Sequence, residues 1–359
     1  MTMDFDQERT FFKGHCIEYD TIDMFQMMVD IALEPRSVLA ANVARSKNQK
    51  SHDLFKHLAK YDPFANTQEM LLRTAYGYNT LGMPRLGYEK NVDNVDARML
   101  QQFVMDNVTP RKCLIVASGV NNHKEYVDLV KERLGDMLPV PEHNFARQKS
   151  EYIGGEFRQW TETPQTSITL AFESCPWDSP DLHAYYVMNQ LIGSATAFST
   201  GGPGKGMHCR AITNLMQKYS FVDGASAINN HFSDSGMFGM TIEGPGSHSS
   251  ELMSVMTDEL NNLKNPIDEV ELNRAKNILK MNILQAMERS EDRLEEIARN
   301  FMTYGDLTFH QYCDKIDAVT SHDINAVATK TLAGKPTLLV SGGAINLVPG
   351  VTEVSRQLN

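Results

Sequence analysis

Residues 198–207 form the stretch of this chain that is least compatible with a helix or a strand. Its sequence is FSTGGPGKGM, in which four glycines and one proline fall within the six positions 201–206. Glycine loses the most backbone freedom in regular structure, and proline lacks an amide donor, so we predict a loop with exposed backbone amides. Such a loop is either a substrate-contacting flap or a long connection between two helices, and we favour the flap.

A phosphate-binding P-loop is another interpretation of the same stretch. The motif GxxxxGK[ST] requires a hydroxyl side chain directly after the lysine, because that hydroxyl binds the magnesium ion of the nucleotide. Gly206 follows Lys205 here. The stretch therefore does not match the motif.

The eleven histidines show no zinc-ligand spacing, since neither HxxEH nor HExxH occurs in the sequence. His52 and His57 are five residues apart, about 500° around a helix, so they would not form an i, i+4 zinc pair. His183 is interpreted as a surface or partly buried polar residue, and no GxSxG nucleophile elbow is present. We therefore predict no catalytic centre, no bound metal and no enzymatic activity for this chain alone.

Composition excludes several classes of protein. The chain has 34 Lys and Arg against 45 Asp and Glu, a net charge of −11 that disfavours nucleic acid as a partner. Hydrophobic residues at 42% and charged residues at 22% are typical of a globular protein. Five cysteines without a CxxC pair indicate reduced thiols. The acidic residues near the N-terminus are unlike a transit peptide, so an import signal is expected to be absent or already removed.

Similar blocks recur in the same order in the two halves of the chain. The apolar run 113–119, CLIVASG, is similar to 337–343, TLLVSGG, which lies 224 residues later. Earlier blocks follow the same order: 75–77 with 303–305, and 10–12 with 236–238. Chance similarity is the alternative, but the small drift in spacing favours a duplicated unit in which each copy ends in a buried strand.

The elements expected around the loop indicate an α+β fold. We predict strands at 155–161, 166–174, 222–231 and 236–243, and helices at 181–192, 208–219 and 268–300. The short turn after residue 231 forces the next strand to run antiparallel to the preceding one. We therefore predict two similar domains, each an antiparallel or mixed sheet with helices packed on one face. Residues 1–150 are expected to form an incomplete first domain without its opening strands and helix, and residues 151–359 a complete second domain.

The loop and its surroundings resemble a known family. The loop is followed by Arg210, by YSFV at 219–222 and by DSGMFG at 234–239. Together these residues resemble the α subunits of mitochondrial processing peptidase, and more widely the pitrilysin-like zinc peptidases and core protein 2 of respiratory complex III. The resemblance implies two pitrilysin-like domains and a non-catalytic subunit.

The resemblance also implies a binding site, partners and a location. The implied presequence-binding residues are Phe198, Ser199, Gly201, Gly202, Pro203, Gly204, Lys205, Gly206 and Met207. Zinc is expected in a β-type partner, the processing peptidase β subunit or core protein 1, and no cofactor in this chain. Other complex III subunits and the Arg-rich presequences of precursors are further implied partners, on the matrix side of the mitochondrial inner membrane.

Two departures from the family pattern leave a second interpretation open. Residues 193–197, GSATA, stand where the family's loop opens with a run of glycines. The first domain also lacks its opening elements, so we expect a separate polypeptide or a large assembly to complete it. A purely structural complex III core protein, without a role in presequence processing, is the alternative.

Overall fold

The computed structural model describes residues 1–33, 63–85, 87, 91, 94–109, 112–135, 148–196, 208–305 and 309–358. The chain divides into two compact units. Unit one comprises Met1–Glu69, Pro84–Gln148 and Arg293–Ala298, and unit two comprises Met70–Met83, Lys149–Asp292 and Arg299–Asn359.

Unit one contains a small hairpin and several amphipathic helices. The strands β1 (Thr2–Phe5) and β2 (Thr10–Lys13) pair in antiparallel register. The helices that begin in this unit are α1 (Thr21–Leu33), α2 (Pro63–Tyr76), α3 (Ala97–Asn107) and α4 (His123–Leu134). The side chains of Asp96 and Asn122 cap α3 and α4 by accepting hydrogen bonds from backbone amides of the first turn.

Few apolar side chains are buried among the residues of unit one that the structure describes. Phe25, packed edge-on against Tyr126 at a centroid distance of 5.4 Å, is the one buried hydrophobic side chain among the described residues of this unit. On α3, Met99 and Phe103 are 58% and 63% exposed. The described residues of unit one therefore contribute little apolar burial to its stability.

The strand predicted at 113–119 is wrong. Residues 113–117 have no regular secondary structure, and most of them are exposed. The similar segment at 337–340 lies within a strand that has a neighbour on each side, whereas no described residue pairs with 113–119. An apolar run forms a stable strand only where such neighbours satisfy its backbone groups.

Unit two is built on a six-stranded mixed sheet. Its strands are β3 (Gly155–Trp160), β4 (Gln165–Glu173), β5 (Ser194–Thr196), β6 (Gly224–His231), β7 (Gly236–Pro245) and β8 (Pro336–Gly342). The order across the sheet is β3-β8-β4-β7-β6-β5. The pair β3 and β8 is parallel and the other pairs are antiparallel, which confirms a mixed sheet and the predicted antiparallel pairing of β6 with β7.

The helices of unit two cover one face of this sheet. They are α5 (Leu182–Ile192), α6 (Ser249–Asn262), α7 (Glu269–Glu288), α9 (Phe309–Ala318), α10 (Ser321–Leu332) and α11 (Val351–Leu358). The helix α8 (Ser290–Tyr304) follows α7 and contains residues of both units. Alternate residues of β4, such as Ile168, Leu170 and Phe172, are fully buried in the core on that face. Side chains alternate between the two faces of a strand, so this pattern follows from the sequence.

The opposite face of the sheet is also partly covered. Leu72 and Tyr76, from the last turns of α2, belong to a second buried cluster with Met237 and Leu339. The Tyr76 hydroxyl donates to the Gly236 carbonyl at 3.1 Å. The expectation that helices pack on one face alone is therefore too simple, because the last turns of α2 add a second apolar layer.

The long helix predicted at 268–300 is two helices. Arg289, with φ −84° and ψ 126°, is extended and separates α7 from α8. Leu272 and Leu279 of α7 are buried, whereas Leu284 is 49% exposed. The predicted helix at 208–219 is reduced to a π-helical turn at Ala211–Met216. No helix among the described residues is both long enough and apolar enough to span a bilayer.

Candidate functional site

The glycine-rich loop predicted at 198–207 lies outside the described residues, which end at Thr196 and resume at His208. All nine predicted binding residues therefore stay predictions. The structure does describe the two flanks of this segment and the side chains that hold them.

The N-terminal flank is fixed by its backbone. Helix α5 ends at Ile192, and the amide of its C-cap residue Gly193 donates to the Asn189 carbonyl at 2.8 Å. The edge strand β5 follows at once and pairs with β6. The Gly193 carbonyl accepts a hydrogen bond of 2.9 Å from the Ala227 amide. The flank is therefore tied to the sheet by main-chain bonds.

Gly193 must be glycine for two reasons. Its φ of 70° and ψ of −157° are accessible to almost no other residue. A Cβ at this position would lie 2.4 Å from the Cβ and 2.7 Å from the Sγ of Cys209. Gly193 and Cys209 are therefore in close contact, one on each side of the glycine-rich segment.

The C-terminal flank is a π-helical turn. The amides of Ile212 and Thr213 both donate to the Cys209 carbonyl at 3.0 Å, and the Gln217 amide donates to the Ile212 carbonyl five residues earlier, at 2.9 Å. Single π-helical turns of this kind are frequent at functional sites. This turn directs the side chain of Arg210 inward, where it is 7% exposed.

Arg210 is the centre of a buried charge cluster. Its Nε and Nη2 donate to the Glu271 carboxylate of α7 at 2.6 and 2.9 Å, a bidentate pair. Its Nη1 lies 3.6 Å from Oε1 of Glu259 on α6, an ion-pair distance that is too long for a hydrogen bond. Asn214 donates to the other Glu259 oxygen at 3.1 Å.

The two buried members of the cluster affect each other's protonation. Burial opposes the charge on Arg210, but the hydrogen bonds and charges of Glu271 and Glu259 outweigh it, so the pKa of Arg210 is raised. Burial raises the pKa of Glu259, and the Arg210 charge and the Asn214 hydrogen bond oppose that rise. Arg210 is therefore a permanent buried cation that depends on its acidic partners.

A shallow polar depression of about 430 Å³ lies next to this cluster. It is lined by Arg210, Glu271, Arg274, His208 and Thr213, together with three asparagines. The Glu271 carboxylate and the Arg210 guanidinium already pair with each other, so the other lining side chains are the ones left to contact a ligand. In the described part of the chain, no group of three His, Cys, Asp or Glu side chains could hold a metal ion.

Unit two also contains two buried histidines, His183 and His231, which belong to its core and do not line a binding site. His183 and His231 are 7% and 6% exposed, so His183 is more deeply buried than predicted. Nδ1 of His231 donates to the Cys175 carbonyl at 2.8 Å, and its Nε2 is buried without a hydrogen-bond partner. Burial lowers the pKa of both rings to about 4, and the Arg299 charge adds to the effect.

Family comparison places this architecture among known proteins. Residues 94–279, more than half of the chain, match the family described as "Peptidase M16 inactive domain". The chain belongs to this family. The match to an inactive domain confirms the prediction of a non-catalytic chain and agrees with the absence of HxxEH from the sequence.

Curated relatives confirm the predicted resemblance. The mitochondrial-processing peptidase subunit alpha of Caenorhabditis elegans is 28% identical over 291 residues, covering 75% of this chain and 56% of the relative. That of Solanum tuberosum is 30% identical over 300 residues, covering 81% and 59%. That of Homo sapiens is 26% identical over 337 residues, covering 89% and 64%. The match therefore spans 56–64% of the length of these relatives.

A solved structure has the same fold. A chain of "Complex III2 from Candida albicans, Inz-5 bound" superposes with a TM-score of 0.79 at 18% sequence identity, covering 99% of this chain and 85% of that chain. This M16 family member therefore shares its architecture with a chain of a complex III assembly.

Sequence reasoning found part of this site and missed the rest. Arg210 was noted because it follows the loop, but its pairing with Glu259 and Glu271, 49 and 61 residues further on, has no local signal. The contact between Gly193 and Cys209 was also missed. The residues GSATA at 193–197 suggested reduced flexibility, and the structure places the first four of them in a tight turn and an edge strand.

Proposed function

We propose that this chain is a non-catalytic α-type subunit of a mitochondrial processing peptidase. In this role it recognises cationic presequences through residues 198–207 and supports a β-type subunit that carries the catalytic zinc. The observation that carries the proposal is the similarity to processing peptidase α subunits over 75–89% of the chain. The motif GGPGKGM, set between two anchored flanks, supports it further.

The proposal extends to location and assembly. The relatives are mitochondrial by name, and the structural neighbour belongs to complex III, so we place the chain at the matrix side of the inner membrane as a core subunit of that complex. Its partners are then a β-type or core protein 1 subunit and other complex III subunits. The exposed apolar side chains of α3 in unit one, Met99 and Phe103, support a further protein partner at that helix.

A reconstituted heterodimer tests the peptidase role. The chain is combined with its β-type subunit, and cleavage of a precursor is followed with the wild type and with a variant whose four glycines at 201, 202, 204 and 206 are alanine. We expect KM for the precursor to rise at least roughly tenfold. Gly350→Ala is the matched control, because an added Cβ there has an ordinary contact of 3.7 Å to Glu156 Oε2.

Two outcomes would contradict this proposal. Unchanged cleavage by the alanine variant would show that the segment has no role in presequence recognition. No cleavage by any reconstituted heterodimer, together with co-purification of the chain with a cytochrome bc complex, would favour a purely structural core protein. The structural neighbour and the residues GSATA at the front of the loop support that alternative.

A further inference from the structure

The contact between Gly193 and Cys209 brings together the two flanks of the glycine-rich segment. The Cys209 side chain fills the space that a Gly193 side chain would need, with Cβ and Sγ only 2.4 and 2.7 Å from the site of the missing Cβ. Gly193 and Cys209, which are 16 residues apart in the sequence, therefore lie side by side in unit two.

The two flanks are held by different means. Gly193 and β5 are bonded to β6 through the backbone, so side-chain changes would disturb them little. Cys209 and Arg210 belong to no strand, and a π-helical turn follows them. Arg210 ties this flank to the helices through Glu271 on α7 and Glu259 on α6, and Asn214 of the turn also donates to Glu259. The turn itself packs in the core of unit two through Ala211, Ile212 and Leu215.

The Arg210 side chain pairs with Glu259, which is 3% exposed, and with Glu271, which is 28% exposed, so the first pair is buried and the second is partly buried. The desolvation of two charges offsets most of their attraction, so the pair contributes little net free energy of folding. Removal of one partner is costly, because it leaves the other charge buried and uncompensated. A bidentate guanidinium–carboxylate pair also has one preferred geometry, which lysine cannot reproduce.

We propose that Arg210 is a positioning residue that holds the C-terminal flank of the glycine-rich segment against Gly193. The importance of this contact for presequence binding rests on the proposed function above, whereas the contact itself does not. Loss of the ion pairs should release Cys209 from Gly193 while the core of unit two stays folded.

Cysteine alkylation measures this release directly. The full chain, wild type or Arg210→Met, is treated with iodoacetamide, and the modification of each cysteine is followed by peptide mass spectrometry. We expect the Cys209 rate to rise roughly tenfold or more, because local opening exposes the thiol. Cys175, which is 7% exposed, is the internal reference for global unfolding and should keep its rate.

Two further variants refine the test. Arg210→Lys keeps the charge but loses the bidentate geometry, so its Cys209 rate should lie between those of the wild type and Arg210→Met. Lys280→Met is the matched control. Lys280 lies on α7, as Glu271 does, and it pairs with Asp317 at 2.7 Å, but it makes no contact with Arg210. Its Cys209 rate should equal that of the wild type.

The outcomes separate this inference from the proposed function. An unchanged Cys209 rate in Arg210→Met, or a parallel rise at Cys175, would overturn the positioning role. A selective rise at Cys209 with weaker binding of a presequence peptide would support both ideas. A selective rise with unchanged peptide binding would support the positioning role and contradict presequence recognition by this segment.

Discussion

Two buried histidines should make the stability of unit two depend on pH in the mildly acidic range. His183 and His231 are neutral in the folded protein, and burial lowers the pKa of each from 6.5 to about 4. The unfolded chain therefore binds more protons than the folded chain between these two values. The contribution of the two histidines to the free energy of unfolding is complete above about pH 6.5. It decreases as the pH falls and no longer changes below about pH 4.

The magnitude follows from the two pKa values. At pH 5 the unfolded rings are almost fully protonated and the folded rings are mostly neutral, which costs about 2 kcal/mol per histidine relative to pH 7. The pair together should cost about 4 kcal/mol, a large part of the 5–15 kcal/mol typical of a domain. Both rings are almost completely buried, so solvent screening reduces this cost little.

Urea denaturation followed by tryptophan fluorescence measures the effect. Both tryptophans, Trp160 and Trp177, belong to unit two, and the Trp177 ring lies 5.6 Å from that of His231. The test variant combines His183→Phe, which keeps a ring against Tyr312, with His231→Asn, whose amide can still donate to the Cys175 carbonyl. Its unfolding free energy should change by less than about 1 kcal/mol between pH 7 and pH 5.

The comparison includes its own control. His322→Asn replaces an exposed histidine at the start of α10 and should keep the wild-type pH dependence. Carboxylates that titrate in the same range are present in all three proteins and cancel in the difference. If the double variant lost as much stability as the wild type between pH 7 and pH 5, the histidines would not be the titrating groups.

Three further perturbations have defined outcomes. Gly193→Ala should lower the unfolding free energy of unit two by about 2–4 kcal/mol in urea denaturation. The φ of Gly193 is 70°, and Cys209 occupies the space of the added Cβ. A loss below about 0.5 kcal/mol would contradict the close contact. Tyr76→Phe should cost about 1–2 kcal/mol by the same assay, since the hydroxyl bonds to Ser235 and Gly236 are lost; unchanged stability would show that water replaces them. The association rate of a cationic presequence peptide, measured by stopped flow, should fall severalfold as NaCl rises from about 0.05 M to about 0.5 M, because the chain carries a net charge of −11. A rate independent of salt would exclude long-range attraction.

Local patterns predicted much of unit two. The strands predicted at 155–161, 166–174, 222–231 and 236–243 correspond to β3, β4, β6 and β7, and the apolar run 337–343 corresponds to β8. The short connection between residues 231 and 236 predicted the antiparallel hairpin of β6 and β7. The helix at 182–192 was also predicted, one residue from its observed start. These features depend on residues near one another in sequence, so sequence periodicity contains them.

The absence of a zinc motif and the family resemblance were also decided by the amino-acid sequence, because a motif is a local string of residue types. The tertiary structure alone decided that β8 enters the sheet between β3 and β4, and that residues 113–117 form no strand despite a similar apolar run. It also decided that Arg210 forms an ion pair with Glu271, and that Cys209 packs against Gly193. Strand order, burial and ion pairing depend on which distant groups become neighbours when apolar surface leaves water, and spacing along the chain does not encode those neighbours.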